Sequence, residues 1–307
     1  MYIIDFFKNL FKKSNIGVII WLVANILLLV VLFSSGFQSV PGAIFGVVLY
    51  ALSMVIALSP IGEWILRLQT GCKKITDPEV LARIEPLFNE VYAKAKAENP
   101  ELPGKIKMFM SESDEPNAFA TGRKTVCITR GLLTYSDEEI KGVLGHEFGH
   151  LAHKDTDIIL VVAVGNLIVN AIFVAIRVIG NFFMLVGQFF TALFSENSGA
   201  FIANIFIGIS RVVANFMLAL LMRIWTQIGV WLCMSSSRKN EYKADEYSHN
   251  LGYREGLVNV LSSFGSSKSK GLFAALASSH PNTDDRIAKL QALPALAETN
   301  DTAYLNQ

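Results

Sequence analysis

The chain has 307 residues, of which 52% are hydrophobic and 17% are charged, and its net charge is +1. Soluble domains carry about 25% charged residues, so this composition is typical of a membrane protein and excludes a disordered, fibrous or disulfide-scaffold chain. The small net charge gives no general electrostatic basis for binding nucleic acid, and we expect no nucleic-acid partner.

Apolar residues are gathered into a few long segments. Each approaches or exceeds the roughly 20 residues that cross a bilayer as a helix, which predicts a mainly α membrane protein with four transmembrane helices. Residues 158–237 as a whole would also accommodate four short spans, or two spans with a re-entrant piece. The apolar segments are residues 16–33, 42–58, 158–194 and 201–237.

These segments divide the chain into four parts. Residues 1–58 hold an N-terminal tail and the first helix pair, and residues 158–237 hold the second pair. Residues 59–157 and 238–307 are ordinary polar chain, which we expect to assemble into one domain. The first apolar segment is too long for the core of a signal peptide and a second follows at once, so we expect it to be retained.

Basic residues mark one side of the predicted membrane. The loop of residues 34–41 and the linker of residues 195–200 contain no Lys or Arg, whereas the other flanks of the apolar segments do. Because Lys and Arg concentrate in cytoplasmic loops, both termini and both polar blocks are predicted to be cytoplasmic. The flanking basic residues are Lys8, Lys12, Lys13, Arg67, Lys73, Lys74, Lys154, Arg238 and Lys239.

The arginines within the apolar segments and the three cysteines lead to two further predictions. Arg177, Arg211 and Arg223 fall inside the last two apolar segments. Such residues are often functional, but we expect these to snorkel or to face a packed interior. The three Cys residues have no CxxC spacing, and their odd number predicts free thiols in a reducing compartment rather than disulfides.

The first polar block begins with a predicted helix. Asp77 is placed to cap its N-terminus, and Pro86 should kink or split it, because proline removes a helical hydrogen bond. Residues 105–110 alternate like a short strand, and residues 117–121 and 125–129 read as the two strands of a hairpin. This block therefore predicts a small sheet beside helices.

The next helix carries the most informative motif. Ser136 and Glu139 form a capping box that opens this helix. His146 and His150 follow four residues apart, so both imidazoles lie on one helical face and can reach one metal ion. Glu147 projects beside that metal, where it can take a proton from water. The pattern His-Glu-x-x-His is typical of zinc peptidases.

A catalytic zinc ion takes three protein ligands and leaves one position open. Downstream, Glu241 and Asp245 are four residues apart and share one helical face. On spacing alone, two such acids usually belong to a solvated surface. His153, His249 and His280 compete with Glu241 as the third ligand, and the residues by themselves leave this choice open.

The motifs together resemble the HtpX family of bacterial membrane zinc metalloproteases. The resemblance rests on Asn117-Ala-Phe-Ala-Thr-Gly122, on the His-Glu-x-x-His motif between two pairs of spans, and on Arg238-Lys-Asn-Glu-Tyr-Lys-Ala-Asp245 after the last span. It covers roughly residues 16–292, and CAAX prenyl endopeptidases and Oma-type mitochondrial proteases are more distant relatives. It implies a multi-pass protein of the bacterial cytoplasmic (inner) membrane with a cytoplasmic gluzincin-like α+β protease domain.

The resemblance also implies the metal site. His146, His150 and Glu241 correspond to the ligands of one Zn²⁺ per chain, and Glu147 corresponds to the general base. Asp245 corresponds to the acid that holds a ligand imidazole by its other ring nitrogen.

Further residues are implied around the substrate. Asn117 and Ala118 correspond to an edge strand that pairs with extended substrate. His280 and Arg286 correspond to a Ser-His-Pro…Arg element, in which the His is expected to be catalytic by stabilising the oxyanion and the Arg to contact the substrate. The segment after Pro281 is more polar than is expected of the family.

The resulting hypothesis is a zinc endopeptidase that cleaves misfolded or damaged membrane proteins in envelope quality control. Two alternatives remain: a CAAX-type processing endopeptidase and a non-enzymatic membrane scaffold.

The number of spans between the two halves of the metal site gives an independent parity condition. His150 and Glu241 can share a metal only if an even number of spans separates them. Both residues lie close to predicted spans, so the metal should lie near the membrane surface. Oligomeric state is not predicted.

Overall fold

The computed structural model describes residues 2–11, 15–194, 198–263 and 283–296. These residues are mainly helical with one small sheet, which confirms the predicted fold class. The helices before the sheet are α1 Tyr2–Leu10, α2 Ile16–Phe33, α3 Val40–Ala57, α4 Pro60–Gln69 and α5 Pro78–Glu98. Those after it are α6 Asp137–His153, α7 Thr156–Leu160, α8 Asn166–Phe194, α9 Ser198–Asn250, α10 Arg254–Ser263 and α11 Thr283–Ala292.

Among the described residues, four helices are long and apolar enough to cross a membrane. The first two are α2 and α3, as predicted. Between residues 158 and 237 the candidate spans are Val169–Leu193 and Asn204–Gly229, so the described chain has two spans there rather than four. This even number satisfies the parity condition. Helix α9 is 53 residues long and runs from its span directly into the polar domain.

The sheet has three strands: β1 Lys107–Ser111, β2 Ala118–Thr121 and β3 Thr125–Thr129. Their order is β1-β3-β2, with β3 antiparallel to β2 and parallel to β1. The predicted hairpin is thus confirmed, and Gly122 supplies the positive φ of 58° at its turn. Strand β2 is left at one edge of the sheet, directly beside α6.

Of the two outcomes expected at Pro86, a kink or a split of the helix, the split was wrong. Helix α5 continues through Pro86 for 21 residues. Its Leu87, Phe88 and Val91 are buried, and the Phe88 ring lies 5.4 Å from that of Phe148 on α6. The packing of these side chains retains one helix despite the lost hydrogen bond.

The expectation that the cysteines are free thiols was also wrong for two of them. A disulfide joins Cys72, which follows α4, to Cys127 at the centre of β3. Both side chains are buried against Phe109. The adjacent Lys73 pairs with Met110, so the chain leaving the second span is attached to the far edge of the sheet. A contact between residues 55 positions apart is tertiary, and no local spacing reveals it.

Candidate metal centre

Helix α6 begins with the predicted capping box. The Ser136 hydroxyl accepts a hydrogen bond from the Glu139 amide, and the Glu139 carboxylate accepts one from the Ser136 amide. This cap fixes the register of the helix that carries His146, Glu147 and His150. The His146 and Glu147 side chains are buried inside the domain.

Helix α9 brings Glu241 to both imidazoles. Nε2 of His146 and Nε2 of His150 are 3.2 Å apart, and each lies 3.4 Å from an oxygen of Glu241. Ligands placed tetrahedrally at the usual zinc distances lie about 3.3 Å apart. The His146 nitrogen faces Oε2 of Glu241 and the His150 nitrogen faces Oε1, so two imidazoles and one carboxylate at this spacing fit a single zinc ion. Within the described residues, these three form the cluster with such spacing.

Asp245 orients the first imidazole. Its Oδ1 lies 2.8 Å from Nδ1 of His146, which leaves Nε2 directed at Glu241 and the metal position. Asp245 stands one helical turn after Glu241 on α9, so a single helix face supplies both the ligand and the support of its neighbour. A carboxylate on the second ring nitrogen fixes the tautomer and raises the basicity of a ligand His.

Arg286 of α11 lies behind the ligands. Its guanidinium donates to both oxygens of Asp245, at 2.8 and 2.5 Å, and is 3.6 Å from Glu241. Burial would raise the pKa of the Asp245 carboxyl, but the hydrogen bonds from Arg286 and His146 hold that pKa at about 2. The sequence analysis expected Arg286 at the substrate. The structure instead buries its side chain against Asp245, because that carboxylate provides a bidentate partner.

A second acid, which the sequence analysis missed, lies beside the other imidazole. Oδ2 of Asp155 is 3.7 Å from Nδ1 of His150. Helix α6 ends at Lys154 in the left-handed conformation, and the Asp155 amide turns back to donate to the carbonyl of His150. The only sequence signal for this contact is an acid five residues after His150.

Glycines on α6 allow α9 to come this close. A Cβ at Gly149 would lie 2.8 Å from Cα of Ala244, and one at Gly145 would lie 2.7 Å from the Ser248 hydroxyl. Both distances are shorter than the contacts that real side chains make. Any side chain at Gly149 would push the two ligand-bearing helices apart.

The free edge of the sheet is joined to Glu147. The Ala120 amide donates to the Glu147 carboxylate at 2.6 Å, so the free edge of β2 faces the metal centre. The carbonyl and amide of Asn117 both bond to Thr129 of β3. Since main-chain groups alternate in direction along an antiparallel strand, those of Ala118 and Ala120 are directed to the free edge, and those of Asn117 are not.

The hairpin turn of this sheet is fixed to both pairs of membrane helices. Glu63 of α4 accepts hydrogen bonds from the Arg123 amide and the Thr125 hydroxyl, at 3.0 and 3.1 Å. The Arg123 guanidinium pairs with Asp157 of α7 at 2.7 Å, and Thr156 donates to the carbonyl of Gly122. Helix α4 follows the second span and α7 precedes the third. The sequence analysis did not identify this polar cluster.

Two of the three competing histidines lie away from the metal cluster. The His153 ring packs edge-on against Tyr247, and burial lowers the pKa of this imidazole. His249 contacts the chain near Pro294, and neither residue joins the described metal cluster. His280 lies outside the described residues, so its predicted role is not placed by the structure.

The chain is similar to known proteases along most of its length. The Protease HtpX homolog of Campylobacter hominis is 32% identical over 237 residues, which cover 67% of this chain and 74% of that protein. The Protease HtpX of Pseudomonas entomophila is 29% identical over 92% of this chain and 97% of its own. The crystal structure of S. mikatae Ste24p aligns with a TM-score of 0.43 and 20% identity, over 94% of this chain and 66% of that one. Residues 78–293 match the family model of Peptidase family M48.

The match to the family model contains every described residue of the metal cluster. It extends from the start of α5 to the residue after α11, and thus includes both halves of the polar domain with the second pair of spans between them. The predicted kinship with HtpX proteases is confirmed, and the chain belongs to peptidase family M48.

Proposed function

We propose that the chain is a zinc endopeptidase of the bacterial cytoplasmic membrane that cleaves misfolded or damaged membrane proteins in envelope quality control. The observation that carries this proposal is the convergence of His146, His150 and Glu241 beside Glu147, in a chain with four candidate spans. Membership in a metalloprotease family supports the reaction. Direct attachment of α9 to a span supports membrane proteins as substrates.

Each residue of the centre has a proposed task. His146, His150 and Glu241 would hold one zinc ion, which would supply Lewis acidity to water and to the scissile carbonyl. The Glu147 carboxylate accepts a proton from the attacking water and later delivers it to the leaving amine. Asp245 holds the His146 ring in the tautomer whose Nε2 is free for the metal.

The substrate is proposed to bind as an extended strand along β2. The outward main-chain groups of Ala118 and Ala120 would provide the pairing, while Asn117 would contribute its side chain, because its main chain is bonded to Thr129. Main-chain pairing recognises backbone rather than side chains, so sequence selectivity should be loose.

The tetrahedral oxyanion requires a positive or donating group. We retain His280 for this task as the resemblance implies. Arg286 is assigned instead to positioning, since its guanidinium holds Asp245 and lies behind the ligands.

The proposed orientation places both termini and the metal centre in the cytoplasm. Topology reporters fused at the N-terminus, after Lys74 and at the C-terminus should all report the cytoplasm, and one within residues 34–41 should report the outside. An external C-terminus would contradict the orientation.

The central test replaces the proposed base. Glu147→Gln should retain zinc, since it changes no ligand, and should lower proteolysis of an unfolded membrane protein by about 10²- to 10⁴-fold. The matched control is Glu138→Gln, an exposed acid on the same helix paired with Lys141, which should keep full activity. Undiminished cleavage by Glu147→Gln would refute the mechanism.

The two alternatives predict other results. A CAAX-type processing enzyme would use the same centre but prefer a prenylated peptide over an unfolded membrane protein when both are offered. A scaffold would show no Glu147-dependent cleavage of either substrate. Metal analysis of the detergent-purified protein separates the enzymes from a scaffold that binds no zinc.

A further inference from the structure

An open cleft with both apolar and polar walls lies between the two helices of the second membrane pair, away from the metal centre, and its two arginines are exposed. It has a volume of about 380 Å³ and is formed by α8 and α9 within their candidate spans. Its charged residues are Arg177 and Arg223, one from each helix. The remaining polar residues on its wall are Asn170, Thr226 and Gln227. We name it the headgroup cleft.

The charges of the two guanidinium groups are not balanced within the part of the chain that the structure describes. The four apolar segments contain no Asp or Glu, and within the described residues neither Arg177 nor Arg223 has a carboxylate within 4 Å. An arginine at membrane depth is costly, and intramembrane charges ordinarily pair with another group. Two like charges in one cleft also repel each other. An anion from outside the chain would compensate both effects.

The depth of the cleft matches one leaflet. Along their helices, Arg177 lies about 12 Å from Val169 and Arg223 about 9 Å from Gly229, the span ends nearest the metal centre. Asn170 and Gln227 lie between these arginines and the span ends, so polar groups continue to the interface. The Oδ1 atom of Asn170 is buried without a hydrogen-bond partner among the described residues and can accept from a headgroup donor.

A shallow apolar groove along one face of α9 adjoins the cleft and shares Arg223 and Gln227 with it. Its other walls are aliphatic residues of α9 and the ring of Trp231, and its volume is about 440 Å³. The Trp231 side chain is 70% exposed two residues past the span, where aromatic side chains mark the membrane interface. The cleft and the groove together therefore suit an amphipathic ligand with an anionic head and a hydrocarbon chain. The aliphatic residues of the groove are Leu220, Ile224 and Ile228.

We propose that the headgroup cleft binds the phosphate of an anionic phospholipid from the leaflet next to the catalytic domain, with one acyl chain in the adjoining groove. Arg177 and Arg223 bind the phosphate oxygens, for which guanidinium groups are well suited. The inference concerns the membrane helices alone, so it holds or fails separately from the proposed proteolysis.

The test compares lipid binding by variants of the full-length protein. Native mass spectrometry of detergent-purified protein should show retained phosphatidylglycerol in preference to phosphatidylcholine. The double variant Arg177→Gln/Arg223→Gln should bind phosphatidylglycerol about 30-fold more weakly, since each arginine near an anionic lipid is worth about fivefold. Arg211→Gln is the matched control, because it removes a membrane arginine that lines neither cavity, and it should bind as the unaltered protein does.

A charge-preserving variant and two competing ligands complete the test. The double variant Arg177→Lys/Arg223→Lys keeps the charges and should retain most of the binding even if the Gln variant fails to fold. Inorganic phosphate should not compete, because the acyl chain contributes. Equal lipid binding by the Gln and unaltered proteins, or an equal loss in Arg211→Gln, would overturn the proposal. Preference for a transmembrane peptide carboxylate over phosphatidylglycerol would overturn it as well.

Discussion

Replacing Gly149 by Ala tests whether the metal centre depends on the close approach of α6 and α9. The added Cβ would lie 2.8 Å from Cα of Ala244 and 3.1 Å from its carbonyl oxygen. Non-bonded carbon atoms prefer about 3.5–4.0 Å, so α9 would have to move by roughly 1 Å. Both obstructing atoms are backbone, and a rotamer change cannot relieve the clash.

The consequence for the metal is larger than that for the fold. Overpacking of this kind costs about 1–3 kcal/mol of stability, which most domains survive. Glu241 and Asp245 flank Ala244 and would move with it, whereas metal ligands must keep their distances within about 0.2 Å. We expect Gly149→Ala to bind zinc about 10- to 100-fold more weakly, the range found when the support of a ligand is removed.

A chelator competition on purified protein measures this affinity. Gly187→Ala is the matched control, because a Cβ at Gly187 in α8 meets no atom within 4 Å. It should leave zinc affinity unchanged. Wild-type zinc affinity in Gly149→Ala, with α6 and α9 still packed, would refute the claim that glycine sets the ligand geometry.

Three further predictions follow from single contacts. Asp245→Asn should weaken zinc binding by about 10- to 100-fold in the same competition assay, and unchanged affinity would remove its orienting role. His153→Ala should keep full zinc occupancy by metal analysis, and loss of the metal would mean that the ligand assignment is wrong. Arg123→Met removes the guanidinium that pairs with the buried Asp157 carboxylate and should cost about 3–5 kcal/mol in thermal or denaturant unfolding. The control is Arg130→Met, which breaks the exposed pair of Arg130 and Glu112 and should cost about 0–1 kcal/mol. Equal costs for Arg123→Met and Arg130→Met would contradict this account.

Local signals predicted the half of the metal centre that lies on one helix. The capping box at Ser136 and the spacing of His146 and His150 depend only on neighbours along the chain, and the structure reproduces both. The hairpin of β2 and β3 was equally local. The folded chain retains these local features because tertiary contacts reinforce them.

The other half depends on contacts between distant segments. Spacing alone left Glu241 in competition with three histidines, and only resemblance favoured it. The physical reason that Glu241 reaches both imidazoles is the small size of Gly149, which allows α9 to approach α6 closely. Asp155 was missed because its contact needs the left-handed turn at Lys154. The bidentate partner of Arg286 lies 41 residues away, and no periodicity connects the two.

Under the proposed function, helix α9 sets how far from the membrane a substrate is cut. Its candidate span ends at Gly229, and Glu241 lies about 18 Å further along the same helix. Any tilt of the helix brings the metal nearer to the membrane, so this length is an upper limit. An extended peptide advances about 3.3 Å per residue, and about six residues therefore cover the distance.

Substrates with one transmembrane segment and one cleavable sequence, separated by spacers of increasing length, measure this geometry. Cleavage should begin once the scissile bond lies outside the bilayer, at a spacer of no more than about six residues. It should be absent when the bond is inside the span, because α9 carries its ligand beyond the apolar window. The Glu147→Gln protein supplies the background for every spacer. Cleavage within the span, or only with spacers several times longer, would mean that the metal centre does not stand over the membrane as α9 requires.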